Sequence, residues 1–317
     1  MDLKMLEYIV AIADHKSITK AANDLYISQS GLNQQLIKEE KELGIQLFHR
    51  SKKEILPTQA GKIYIENARR ILKIAQNTYT QIHDLEQNPT GNIALGLPFE
   101  HGVDMLIDIL PKFNQQYPHV TITMMEQTVS EMKNKITSDH LDMAFIMQNT
   151  PPDQTFDYIK LCSEKLVLGI PRRITAAQYA PQHGKPMRTL PLEYVKDENF
   201  AFMFAGSTMR QIIDPMFDKA GIHPNIHYET LMNNALFRLV NSGLCCTIIP
   251  QSYAQRTNST AWFYLEDDPK WNWYFIYSKT RTLSVADKYL ISLAIDYGHQ
   301  MEIYWEQFGI GRPTILN

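Results

Sequence analysis

Between Ser17 and Gly44 two short helical patterns follow one another with only a few residues between them, and no other stretch constrains the fold as strongly. Ser17 can cap the first helix, in which Ile18, Ala21, Ala22 and Leu25 recur on one face. The paired alanines let a second helix approach closely. Asn23 to Ile27 break the pattern, and Ser28 can cap a new helix that carries Leu32, Leu36 and Leu43 inward. Gln29, Ser30, Asn33 and Gln34 point outward near its start, with Lys38 one turn beyond Gln34. Amide side chains can bond adenine edges in a major groove, and the first turns of such a helix are the part that reaches the bases. The pattern predicts a helix-turn-helix whose second helix faces double-stranded DNA. A helical hairpin in an ordinary core is the competing reading.

Charge adds position rather than bulk. Residues 1–88 hold 12 lysines and arginines against 11 aspartates and glutamates, a weak excess for a DNA-binding module. The cations Arg50, Lys52 and Lys53 instead gather beside His49, between the apolar runs at Leu47-Phe48 and Ile55-Leu56. This predicts a β-hairpin with a basic tip placed to touch phosphates. Over 59–88, Tyr64, Ala68, Ile71, Ala75, Thr78, Ile82 and Leu85 alternate in steps of four and three, a heptad seam ended by Asn88-Pro89-Thr90-Gly91. So narrow a seam asks for a partner helix; a helix over 59–88 packed on the C-terminal part of its own chain is the competing reading.

Leu6, Val10, Ala11, Ser17, Thr19, Ala21-Ala22, Leu25, Ser28-Gln29, Glu40, Leu43-Gly44, Leu47-Phe48, Arg50, Thr58 and Ala60-Gly61 together resemble the winged helix-turn-helix of LysR-type transcriptional regulators. Tyr8, Asn33, Glu39 and Pro57 depart from that pattern, Glu39 by placing a charge where an apolar residue usually supports the recognition helix. The resemblance implies a regulator that binds promoter or operator DNA through Ser28, Gln29, Ser30, Asn33, Gln34, Lys38, Arg50, Lys52 and Lys53. It also implies dimerisation through the long helix, a homotetramer through the C-terminal domains, and RNA polymerase as a further candidate partner.

From Asn92 strands and helices alternate: strands at 92–98, 120–126 and 143–147 with helices at 103–117 and near 130–138, then strands at 165–171, 200–204, 225–229 and 246–250 with helices from Ser207 and over 231–241. The aromatic strand 271–277 and the helix 285–306 follow. This order predicts a parallel sheet covered by helices. A double crossing near Cys162–Glu164 and Asp267–Lys270 would make two lobes around a cleft. The expected fold class is α/β, with an N-terminal winged helix-turn-helix (1–58), a long linker helix (59–88) and a C-terminal two-lobed, periplasmic-binding-protein-like effector domain (89–317). Lobe I would span about 91–162 and 268–306, and lobe II about 163–267. Ala205-Gly206-Ser207, Asn241-Ser242-Gly243 and Ile248-Ile249-Pro250 support the likeness to the family's effector domain.

A small-molecule effector should sit where strand ends and helix starts face the cleft. Phe99, Glu100, His101, Thr128, Ser130, Gln148, Ser207 and Thr208 qualify, and each can equally serve as a cap or loop residue. Helix starts favour anions, and the family resemblance implies small carboxylates or aromatic acids. Glu100 would repel a carboxylate unless His101 or Arg210 offsets it, which leaves cationic, zwitterionic and neutral aromatic effectors open.

The rest of the sequence excludes more than it adds. The chain has 317 residues, 44% of them hydrophobic, enough for two or three domains. Its N-terminus has charges of both signs and no apolar run of signal-peptide length, and no later run has the length of a membrane span, so a cytoplasmic protein without membrane attachment is expected. Cys162, Cys245 and Cys246 form no disulfide framework and read as buried thiols. Trp271, Trp273, Tyr274 and Phe275 read as core. Neither a metal-ligand spacing, a nucleophile triad nor a phosphate loop is evident, so neither metal, cofactor nor catalysis is expected. A solute-binding protein using the same two-lobed cleft is the alternative function.

Overall fold

The computed structural model describes residues 2–50, 55–84, 90–150, 152–181 and 185–313, in two compact units, one spanning residues 1–89 and the other nearly all of 90–317.

The first unit opens with α1 (Leu3–His15), α2 (Ile18–Asp24) and α3 (Gln29–Leu43). Each starts at a side chain that accepts a backbone N–H of the next turn: Asp2 from Lys4 at 3.3 Å, Ser17 from Lys20 at 3.4 Å and Ser28 from Gly31 at 3.1 Å. The reversal between α2 and α3 passes through Tyr26 at φ +54°, and Gly44 at φ +69° ends α3. Ile9, Ile12, Ala21, Ala22, Leu32 and Leu36 form the core with Leu47 and Phe48 of the hairpin. That hairpin pairs β1 (Phe48–Arg50) with β2 (Ile55–Pro57), Phe48 opposite Pro57 and Arg50 opposite Ile55. Leu43 does not point inward as the periodicity suggests; it is 46% exposed. The last inward position of α3 is Glu40, whose carboxylate accepts the Leu47 N–H at 2.8 Å and the Phe48 N–H at 3.2 Å.

The helix α4 (Gln59–Asp84) is seated on the hairpin by Thr58 and Gly61. The Thr58 hydroxyl donates to Gln46 O at 2.8 Å and accepts the Gly61 N–H at 3.0 Å. A β-carbon on Gly61 would lie 1.9 Å from the Leu47 carbonyl oxygen, so only glycine allows this approach. Along α4 the heptad seam divides. Ala68 is buried and Tyr64 half-buried where the helix packs on α1, Ile71 and Ala75 are half-buried, and Thr78 and Ile82 farther along are exposed. The unit's own core therefore uses the first turns of the seam, and Leu85 lies outside the described residues. Glu39 is accommodated as well: the Tyr64 hydroxyl donates to its carboxylate at 2.7 Å. Burial and this neighbouring carboxylate hold the Tyr64 hydroxyl far above its usual pKa.

The second unit contains β3 (Gly91–Leu97), α5 (His101–Gln116), β4 (Val120–Glu126), α6 (Val129–Thr137), β5 (Met143–Gln148), β6 (Phe156–Pro171), β7 (Asn199–Met203), α7 (Arg210–Ala220), β8 (Asn225–Thr230), α8 (Asn233–Asn241), β9 (Cys246–Pro250), β10 (Thr260–Tyr264), β11 (Lys270–Ser278) and α9 (Val285–Phe308). The strand order is β4-β3-β5-β11-β6-β9-β7-β8, with β10 also on β6. The sheet is mixed rather than parallel. β3 runs parallel to β4 and β5, and β7 to β8 and β9, but β6 and β11 are antiparallel to each other and to their other neighbours. The cause is the chain's path: β6 leaves one lobe, pairing β11 up to Lys165, and enters the other, pairing β9 and β10 from Leu166 onward. A strand that carries the chain out and one that brings it back must run in opposite directions. β6 therefore begins well before Lys165, and β10 has no counterpart in the sequence reading. α7 begins at Arg210 rather than Ser207; Ser207 lies in the turn before it, where its hydroxyl accepts the Arg210 N–H at 3.2 Å. Trp273, Phe275 and all three cysteines are buried, and burial raises each thiol's pKa, that of Cys245 to about 11.

Candidate functional site

On α3 the side chains of Gln29, Ser30, Gln34 and Lys38 are exposed along one stretch, with Asn33 half-buried beside them. Gln35 and the almost fully exposed Tyr26 border the same surface, and the sequence reading had passed over both. Ser28 serves first as a cap, because its hydroxyl accepts the Gly31 N–H and also a 3.4 Å bond from Ser30. Lys38 lies 3.9 Å from Glu42, a loose surface pair that a phosphate can displace. Arg50 ends β1, at the base of the hairpin tip; its side chain and the predicted Lys52 and Lys53 lie outside the described residues.

The second unit holds a cleft of about 440 Å³ at the ends of β3 and β5 and the starts of α6 and α7. Phe99, Thr128, Ser130, Gln148, Ser207 and Thr208 line it as predicted. Their hydroxyls and amides already have local work. Thr128 donates to Glu131 at 2.7 Å and accepts its N–H at 3.4 Å, Gln148 donates to Thr150 O at 3.2 Å, and Ser207 accepts the Arg210 N–H at 3.2 Å. The amides of Val129 and Ser130, in the first turn of α6, have no acceptor within their own helix, and the Glu131 carboxylate, which also accepts the Thr128 N–H at 3.0 Å, offsets part of the positive potential of this end. Unforeseen from the sequence are Met147, Met203 and Leu231 on the apolar wall, and Gln127, Gln211 and Asn233 among the polar groups. Trp271 is core, as read, yet it also lines the cleft, with its indole N–H donating to Thr208 Oγ1 at 3.2 Å.

The charges fall differently from expectation. Of the described lining residues only Lys133 is ionised, and its ammonium is 3.0 Å from Asp153, which also accepts from Tyr158 at 2.9 Å. Partial burial opposes ionisation of both, but these bonds win: Asp153 is held down at about 2 and Lys133 above its usual value. Glu100 and His101 do not line the cleft. The Glu100 carboxylate binds the start of α8, accepting the Asn233 N–H at 2.5 Å and the Asn234 N–H at 3.2 Å. Its charge is thereby held by the amides at the start of α8 rather than placed on the wall of the cleft. Arg210 cannot offset it, being paired to Asp214 at 2.5 Å and Glu229 at 2.9 Å.

His101 is buried behind the cleft, its Nε2 3.2 Å from Glu164 and 3.3 Å from Ser252 Oγ, while Nδ1 has no partner among the described residues. Burial pushes its pKa below the usual 6.5 and outweighs the opposing pull of Glu164. Below about pH 6.5 the unfolded chain therefore binds a proton that the folded chain refuses, and stability should fall as pH falls through that window. Urea unfolding of the His101→Gln variant is expected to show a flatter decline below pH 6.5 than the parent. Parallel curves would mean that this imidazole titrates alike in both states.

The two units correspond to two known families. Residues 3–62 match the family described as bacterial regulatory helix-turn-helix protein, lysR family, and residues 86–297 match the LysR substrate binding domain. The chain is 26% identical over 308 residues to the uncharacterized HTH-type transcriptional regulator YcgK of Bacillus subtilis, covering 93% of this chain and 94% of the relative. It is 27% identical over 254 residues to the HTH-type transcriptional regulator XapR of Escherichia coli, covering 80% and 84%. Its fold resembles a full-length OxyR variant from Pseudomonas aeruginosa (TM-score 0.68, 20% identity, 93% and 94% covered). It also resembles full-length CbnR complexed with its target DNA (TM-score 0.59, 22% identity, 93% and 99% covered). The helix-turn-helix match sets aside the solute-binding alternative, and the regulator families set aside an enzyme. Among the described residues no helix is long and apolar enough to cross a membrane. With one regulatory DNA-binding module and one substrate-binding module on a single chain, the protein belongs to the LysR family of bacterial transcriptional regulators.

Proposed function

We propose that the chain reads operator DNA through the exposed start of α3 and the basic hairpin tip, and that a small effector bound in the 440 Å³ cleft controls this from residues 89–317. The single observation that carries the first half is the pair of exposed amide side chains on a capped helix, Gln29 and Gln34, with the half-buried Asn33 beside them. Arg50, Lys52 and Lys53 supply phosphate contacts in this reading, and the later turns of the α4 seam, with Thr78 and Ile82 exposed, supply the homodimer contact within 59–88. The protein acts in the cytoplasm, where its DNA is.

The cleft supports an effector with an apolar body and hydrogen-bond acceptors. Its wall is apolar at Met147, Met203 and Trp271, its polar groups are hydroxyls, amides and the first turn of α6, and none of its described lining residues is acidic. Thr128 or Ser130 on one side and Ser207 or Thr208 on the other let one ligand touch both lobes, so it can favour closure through differential affinity.

Selection of binding sites from random duplex DNA by the full chain tests the reading. A single enriched motif is expected, and Gln29→Ala or Gln34→Ala should relax one position of it by about 1–3 kcal/mol. No enriched motif would refute sequence-specific binding, and an unchanged motif in both variants would remove these amides from base readout.

A further inference from the structure

Glu100 sits at the centre of a γ-turn. Its φ and ψ are +65° and −72°, and the His101 N–H donates to Phe99 O at 2.9 Å. This turn is strained for any residue with a β-carbon, and such strain persists only where surrounding contacts impose it. Here the contacts come from the other lobe. The Glu100 carboxylate accepts from Asn233 N at 2.5 Å, from Asn234 N at 3.2 and 3.3 Å, and from Asn234 Nδ2 at 2.9 Å. The first turn of α8 thus gives its orphan amides and its positive dipole end to one carboxylate. Beside it, Asn233 is 2% exposed and lines the cleft, and its Oδ1 has no partner among the described residues.

We propose that the start of α8 is an anion subsite at the edge of the effector cleft, which this chain fills from within. Glu100, on the β3–α5 turn, stands in for the acid group of a ligand and latches the two lobes without any effector. Two consequences follow. The acid group of an effector is excluded from α8 and must use another part of the cleft, such as the first turn of α6. The lobes also begin from a partly closed state, so that the effector adjusts an existing bridge. The effector consequence rests on the reading of the cleft given above, whereas the subsite itself does not.

The test uses the full chain and needs neither DNA nor effector. Glu100→Gly removes the carboxylate and suits φ +65° without strain, so the turn is kept. Hydrogen exchange at the Asn233 and Asn234 amides is expected to rise about tenfold or more in this variant, with a lower Tm. Sodium acetate, compared with sodium chloride at equal ionic strength, should slow that exchange again in Glu100→Gly and leave the parent unchanged. Glu100→Gln keeps an acceptor and fills the space, so it should show intermediate exchange and no acetate response, and it answers the question if the glycine variant does not fold. Unaltered exchange in both variants would overturn the latch. Equal protection by acetate and chloride, or equal protection of the parent, would overturn the carboxylate subsite.

Discussion

Glu164→Ala is expected to destabilise the second unit by about 3–5 kcal/mol, a large part of the total stability of a domain. Glu164 is fully buried on β6 where the chain passes between lobes, opposite Trp271 in the pairing with β11. Its Oε1 accepts the Ser252 N–H at 2.8 Å, and its Oε2 accepts the Trp273 indole N–H at 3.0 Å and lies 3.2 Å from His101 Nε2. Alanine leaves these groups in a site closed to bulk water, and each orphaned group costs about 1–3 kcal/mol. Glu164→Gln keeps an acceptor oxygen and should lose less than half as much. Urea unfolding of the full chain, followed by tryptophan fluorescence, separates the two variants. A loss below about 1 kcal/mol for alanine would mean that the network contributes little.

Glu40→Ala is expected to abolish DNA binding although Glu40 is buried and does not face the recognition surface. Its carboxylate holds the Leu47 and Phe48 amides, and with them the hairpin that follows α3. Bonds to a charged acceptor contribute about 1.5–3 kcal/mol each, so losing both removes about 3 kcal/mol or more. The module spans about sixty residues, and a core of that size rarely supplies more than about 3–5 kcal/mol of net stability. The substitution therefore brings the module to the edge of unfolding. Circular dichroism should show lost helix signal at a temperature where the second unit stays folded, and gel shift should show no complex. A variant that binds DNA with parental affinity would mean that the hairpin is held by other contacts.

The sequence by itself determined what local rules control. Helix caps, apolar periodicity and turn residues act over a few neighbours, so Ser17, Ser28 and Gly44 bound α2 and α3 where expected, and β4 and β9 have the predicted ends. The same locality explains the exposed amides on α3, because the outward face of a helix follows from its inward one. Six of the eight candidate residues line the cleft for a similar reason, since strand ends and helix starts are visible in the chain, whereas Glu100 and His101 do not.

Tertiary structure decided whatever depends on partners distant in sequence. Leu43, expected inward, is exposed, and the last inward position of α3 is Glu40, whose carboxylate binds two amides of the hairpin beyond the helix. The sheet became mixed because β6 serves both lobes, a pairing no local pattern encodes. Glu39, out of place as a lone charge, is explained by a tyrosine one domain element away. Trp271 combines a core position with a hydroxyl partner in the cleft only once β11 is set beside the start of α7. Glu100 is the clearest case. Alone in the sequence it is an acid at the mouth of the cleft; in the fold its carboxylate is held by amides of α8 more than a hundred residues away. Desolvation and hydrogen-bond geometry set the role of such a charge, and both exist only after the chain has closed on itself.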